Sequence, residues 1–141
     1  MKPLIIAVIL FLTSTVLCAE ESKETQKEEL KKTMQSFASA LELIQHGILY
    51  NKPWEMRKGA QLLDRNSEDF VKRHGEALKD HMPDDPKFAE SYATYTAARI
   101  RDDIDKLSAS LGGPRDYSNT AAYYTHILNE CVGCHQKIRQ W

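Results

Sequence analysis

Seven side chains near the C-terminus, Tyr117, Ala121, Tyr124, Leu128, Cys131, His135 and Ile138, recur at intervals of 4, 3, 4, 3, 4 and 3 residues. That alternation is one face of an α-helix. A strand, whose side chains change face at every residue, cannot use it. The same rhythm returns at Leu30, Met34, Phe37, Leu41, Ile44 and Ile48, and predicts a first helix, A, over roughly Ser22–Tyr50.

The breaks between helices are as legible as the stripes. "YNKPW" stops helix A, because Pro53 cannot continue the hydrogen-bond ladder but suits the first turn of a new helix. Helix B is expected over Pro53–Asp80, with a looser apolar face carried by Trp54, Ala60, Leu63, Phe70, Ala77 and Leu78. "HMPDDP" supplies the next break, with Asp84 or Asp85 as N-cap and Pro86 opening helix C. Helix C is expected to run to Leu111 on an inner face of Tyr92, Ile100, Ile104, Leu107 and Leu111, and "GGP" at 112–114 closes it. Helix D begins at Tyr117 or Ser118 and reaches the C-terminus. No strand pattern and no internal repeat occur. The predicted class is all-α, and four amphipathic helices joined by short loops predict an antiparallel up-down-up-down four-helix bundle.

Residues 1–19 stand apart from that bundle. Lys2, the apolar run Leu4–Leu12 and the small residues of "TSTVLCA" have the layout of a cleaved export signal, and nine apolar residues fall short of the roughly 20 that span a bilayer. A lipidation site at Cys18 is disfavoured by the large Leu17 before it. The expected folding unit is therefore residues 20–141, exported to the periplasm and without stable membrane insertion once the signal is gone. The net charge of −1 and the absence of a long block of like charges give no nucleic-acid signature.

Two cysteines remain in that unit, Cys131 and Cys134, and His135 follows directly in "CVGCHQKIR". At about 100° per residue the three side chains fall within one arc of helix D. Cys-x-x-Cys-His is the c-type haem attachment pattern: the thiols become thioethers to the haem vinyl groups and the imidazole coordinates iron from the proximal side. Three other readings compete. A thioredoxin-like dithiol wants a βαβ setting and a helix N-terminus. Structural zinc needs a fourth ligand, and no second pair at finger spacing occurs. A disulfide within the motif would strain a continuing helix and leave His135 unexplained. The pattern predicts one covalent haem c.

With the motif at the end of a fourth helix in an exported chain, the sequence resembles the cytochrome c′ group, the class II c-type cytochromes, across its length after the signal. Ile138 stands where members of the group typically have an aromatic residue, and Arg139 is retained. The resemblance implies that helix A supplies the residue on the distal side of the iron: methionine in low-spin electron carriers, a non-ligand in five-coordinate members that bind gases. Met34 lies in the inner stripe of helix A at that place, as sixth ligand or as ordinary core packing. Arg139, one turn beyond His135, can pair with a haem propionate or stand as a solvated terminal charge. Met56 and Met82, near helix ends, are poor ligand candidates. His46, His74, His81 and His126 are all expected at the surface.

The expected role is that of a non-enzymatic one-electron carrier with His135 and Met34 as axial ligands and no catalytic set. Its partners would be redox proteins, and the resemblance also admits a homodimer. The alternatives are a five-coordinate nitric oxide or carbon monoxide binder and, more remotely, a non-haem thiol or metal module.

Overall fold

Between Leu4 and His46 the chain has neither proline nor glycine, and nothing local interrupts helix formation there. In a computed structural model this stretch lies within one long helix, α1 (Lys2–Leu49). The structure describes the backbone of residues 2–139 except 82–84 and 114–116, and side chains from residue 23 to 138 outside those two gaps. The expected start of helix A at Ser22 is thus too late, since the helix runs back through residues 2–21. After α1 come α2 (Pro53–Ser67), α3 (Phe70–Lys79), α4 (Pro86–Ser110) and α5 (Ser118–Cys134), with a π-turn at His135–Arg139. No strand occurs among the described residues, so the all-α class holds. The helix α1 packs mainly on α2, and α4 on α5, while α3 bridges α1 and α4.

The turn from α1 into α2 is built by backbone chemistry. Asn51 takes the left-handed conformation (φ 54°), and the Lys52 N–H donates to the Gly47 carbonyl at 2.8 Å, the long bond of a Schellman ending. Pro53 then opens α2. Two glycines let α1 and α2 approach closely. A Cβ at Gly59 would sit 2.6 Å from the Ala40 carbonyl oxygen and from Ile44 Cγ1, and one at Gly47 would sit 2.5 Å from Met56 Cγ.

Helix B, expected as one element, is two. Asp69 is left-handed (φ 52°) and Glu68 is extended, so the helix stops at Ser67 and restarts at Phe70. Arg73 holds the break, donating from Nη2 to the Asn66 and Glu68 carbonyls at 2.8 and 3.1 Å. Asn66 also donates to Ser36 Oγ at 2.7 Å, fixing the end of α2 on α1. The "NSED" run explains the stop, because asparagine, serine and aspartate offer the backbone local alternatives to the helix ladder. At the start of α4 the N-cap is Asp85, whose carboxylate accepts from the Phe88 N–H at 3.0 Å. Met82, Asp84 and Pro114, named in the sequence reading, lie outside the described residues.

The apolar interior divides in two. One core gathers Ala40, Ile44, Met56, Ala60, Leu63, Ile104, Leu107, Leu111 and Ile127. The other gathers Leu30, Phe70, Ala77, Leu78, Ala93 and Ile138. Phe37 borders both, and meets Phe70 edge to face with centroids 5.7 Å apart. On α5 the fully buried positions are Thr120 and Ile127. The stripe expected there is half-buried from Tyr117 to His135 and fully buried only at Ile138. Thr120 is turned inward by a hydrogen bond with Ser110 Oγ, 2.7 Å away on the end of α4.

Candidate functional site

A cavity opens where the two cores meet. Its deep lobe, about 150 Å³, is walled by Phe37, Leu63, Phe70, Ile100 and Ile127 and reached by Met34, Cys131, Cys134 and His135. An outer lobe of about 430 Å³ shares Met34, Ala38, Phe70, Cys134 and His135 with the first, and carries Lys27, Lys31, Gln35 and His81 on its rim. The shared residues make the lobes one crevice, apolar within and basic at the edge. The four side chains that the sequence reading singled out as cofactor-binding on helices A and D, Met34, Cys131, Cys134 and His135, all line it. The fifth, Arg139, ends the π-turn, and its side chain lies outside the described residues.

Each element contributes for a local reason. Met34 projects from α1 one turn after Leu30, and packs half-buried against the Leu30–Phe70 core. Cys131 and Cys134 occupy the last turn of α5, where Gly133 lies alongside the Tyr92 hydroxyl. His135 begins the π-turn, an i→i+5 winding that is rare and concentrated at functional positions. Arg99 of α4 pairs with Glu130 at 2.6 Å and ties α5 to α4. Phe70, the first residue of α3 after the break at Asp69, lines both lobes.

The two thiols are free and not joined as a disulfide. Burial, then the neighbouring Cys134 and Glu130, pushes the Cys131 thiol up to about 11. Burial and Glu130 raise Cys134 as well. Both sulfurs are neutral near pH 7, the opposite of the depressed values of reactive dithiols. Among the described residues no group of three or more His, Cys, Asp or Glu side chains is placed to hold a metal ion.

Of the polar side-chain atoms buried among the described residues, Thr96 Oγ1 is the one left without a hydrogen-bond partner, and Thr96 lines the deep lobe. Sequence reasoning missed Thr96, because a threonine on a helix is unremarkable until its surroundings are known. It also misplaced His74. Rather than standing at the surface, His74 is 3% exposed, with Nε2 3.0 Å from Thr33 Oγ1 and its ring beside Phe70. Burial, and then the charge of Arg73, lowers its pKa against a smaller upward pull from Glu29. His46, His81 and His126 are exposed as expected. Met56, a poor ligand candidate by sequence, is fully buried in the core away from the crevice.

No family model, no curated protein and no solved structure matches this chain.

Proposed function

We propose that the protein is an exported monohaem c-type cytochrome that carries single electrons, its helices forming an antiparallel four-helix bundle in which α2 and α3 together serve as the second helix. The observation that carries this reading is the convergence of Cys131, Cys134, His135 and Met34 from two helices on one crevice. The residues fit the group. Both lobes together fall in the range of cofactor pockets, roughly 300–1,000 Å³, and the walls are apolar. Cys131 and Cys134 would hold the haem through thioethers, and His135 and Met34 would supply ligands to its iron. When bound, the haem supplies a one-electron ferric/ferrous couple, and a thioether ligand raises its potential. The chain's part is to exclude water with Phe37, Leu63, Phe70 and Ile127, and to hold the imidazole and the thioether at fixed places on the π-turn and α1.

The packing of Met34 against Leu30 and Phe70 also suits a methionine that fills space without ligating. In that case the protein is a five-coordinate gas binder of the cytochrome c′ kind. Met34→Leu separates the two. It nearly conserves volume, so the packing cost stays below about 1.5 kcal/mol. Purified wild-type protein should be low spin in both oxidation states, and Met34→Leu should become high spin, bind carbon monoxide and drop in potential. A wild-type protein that is already high spin and gas-reactive overturns the electron-carrier reading in favour of the gas binder. Absence of covalent haem overturns both and leaves the thiol or metal module.

A further inference from the structure

The turn joining α1 to α2 carries an exposed apolar tip. Among the described residues six large apolar side chains stand exposed, and three of them, Leu49 (71%), Tyr50 (64%) and Trp54 (59%), fall within this one turn. Elsewhere such exposure is scattered, which is ordinary for a protein surface. Here it is concentrated at the end of a helical hairpin whose two legs are held tightly by Gly47 and Gly59.

The charges along the turn are mostly basic. Between residues 49 and 58 the chain carries Lys52, Arg57 and Lys58 against a single acid, Glu55. Glu55 is turned inward, 6% exposed, and is held by His46 and by Lys52 at 3.4 Å. Lys52 also lies over the Tyr50 ring, 5.9 Å from its centroid, and Arg57 donates to the Leu111 carbonyl at 3.2 Å, tying the tip to the end of α4. Lys58 is exposed one turn beyond Trp54, on the same side of α2. The outward face is thus leucine, tyrosine and tryptophan within a basic collar.

We propose that this tip seats the protein on an anionic lipid surface, with Leu49 and Trp54 entering the headgroup region and Lys52, Arg57 and Lys58 meeting lipid phosphates. Tryptophan and tyrosine have an apolar body and a polar edge, which suits them to that layer, and lysine stems lie along apolar surface while the ammonium stays in the wet, charged zone. A second protein is a poorer occupant on area. Three partly exposed side chains offer on the order of 400 Å², half of the roughly 800 Å² per partner that a stable interface needs. A bilayer imposes no such minimum. Such seating is peripheral and reversible, and no helix among the described residues is long and apolar enough to cross a membrane. The inference does not depend on what fills the crevice, which the core around Ile44 and Met56 separates from the tip.

The test is co-sedimentation of the full chain with vesicles of phosphatidylglycerol mixed with phosphatidylcholine, against phosphatidylcholine alone, at low and at moderate salt. The wild-type chain should sediment with the anionic vesicles, less at higher salt, and weakly with the neutral ones. Leu49→Gln/Trp54→Gln should lose binding at least tenfold with unchanged far-ultraviolet circular dichroism. Lys52→Gln/Lys58→Gln, which leaves the apolar residues in place, should weaken it about fivefold per lysine, and keeps the test decisive if the first variant fails to fold. Any leader at the N-terminus is common to all three chains, so only the tip can make them differ. Equal sedimentation of all three, or none by the wild type, overturns the proposal. So does a dimer in light scattering that Leu49→Gln/Trp54→Gln abolishes while vesicle binding is unaffected.

Discussion

His74 and Thr33 are 41 residues apart and share a hydrogen bond inside the protein. An imidazole in that setting is kept neutral by burial first and by Arg73 second. Its folded pKa lies below the unfolded value of 6.5, so the unfolded chain binds the proton more readily. The stabilisation is therefore complete above 6.5 and is lost as the pH falls through the folded value. His74→Gln, which cannot titrate and retains a donor for Thr33, should show a flatter decline in urea midpoint below pH 6.5 than the wild type. An identical decline would assign the acid sensitivity to other groups. Glu55 acts in the same direction but lower, since the hydrogen bond with His46 holds its carboxyl below the usual 4.5. Sequence gave no warning of His74, because its partner comes from another helix and the apolar face of helix B is loose. The Cys131–Cys134–His135 arc was readable because all three side chains ride on one helix, where spacing alone fixes their common direction.

At the level of helices, the stripes and the proline breaks were enough to place α4, the end of α1 and the start of α5 nearly as found. What they could not show is how closely two helices approach. Gly59 makes the point. Alanine there would gain about 1 kcal/mol of helix propensity, but its Cβ would lie 2.6 Å from the Ala40 carbonyl oxygen and Ile44 Cγ1. Forcing such contact apart costs about 1–3 kcal/mol, which outweighs the gain. Gly59→Ala should lower the melting temperature. Gly75→Ala, in the middle of α3 with nothing within 4 Å of its Cβ, should raise it. A rise for both would mean that α1 and α2 can separate without loss. The break at Glu68–Asp69 was equally illegible, since the apolar pattern resumes at Phe70 and each residue of "NSED" is tolerated within a helix one at a time. The π-turn leaves no mark in residue types at all.

For the whole molecule, the division into two cores with a crevice between them makes the proposed cofactor a part of the fold. Cys131→Ala/Cys134→Ala should abolish covalent haem and leave the apolar walls of the crevice facing a void, which the helices fill only in part. The variant should keep its helical circular dichroism, melt at lower temperature and bind a hydrophobic dye. Wild-type-like melting in a haem-free variant would show that the cores need nothing between them, and would weaken the proposal directly.

The π-turn makes the end of this chain sensitive to length more than to composition. It winds one residue more into its turn than an α-helix does, and this register delivers Ile138 to the core it shares with Leu30 and Leu78. Inserting one residue beside the exposed Gln136 exceeds what the wider turn already absorbs, and would swing every later side chain by about 100°, drawing Ile138 off its seat. Replacing Gln136 would leave that seat intact. The C-terminal turn counts residues, and an insertion scan would detect what a substitution scan passes over.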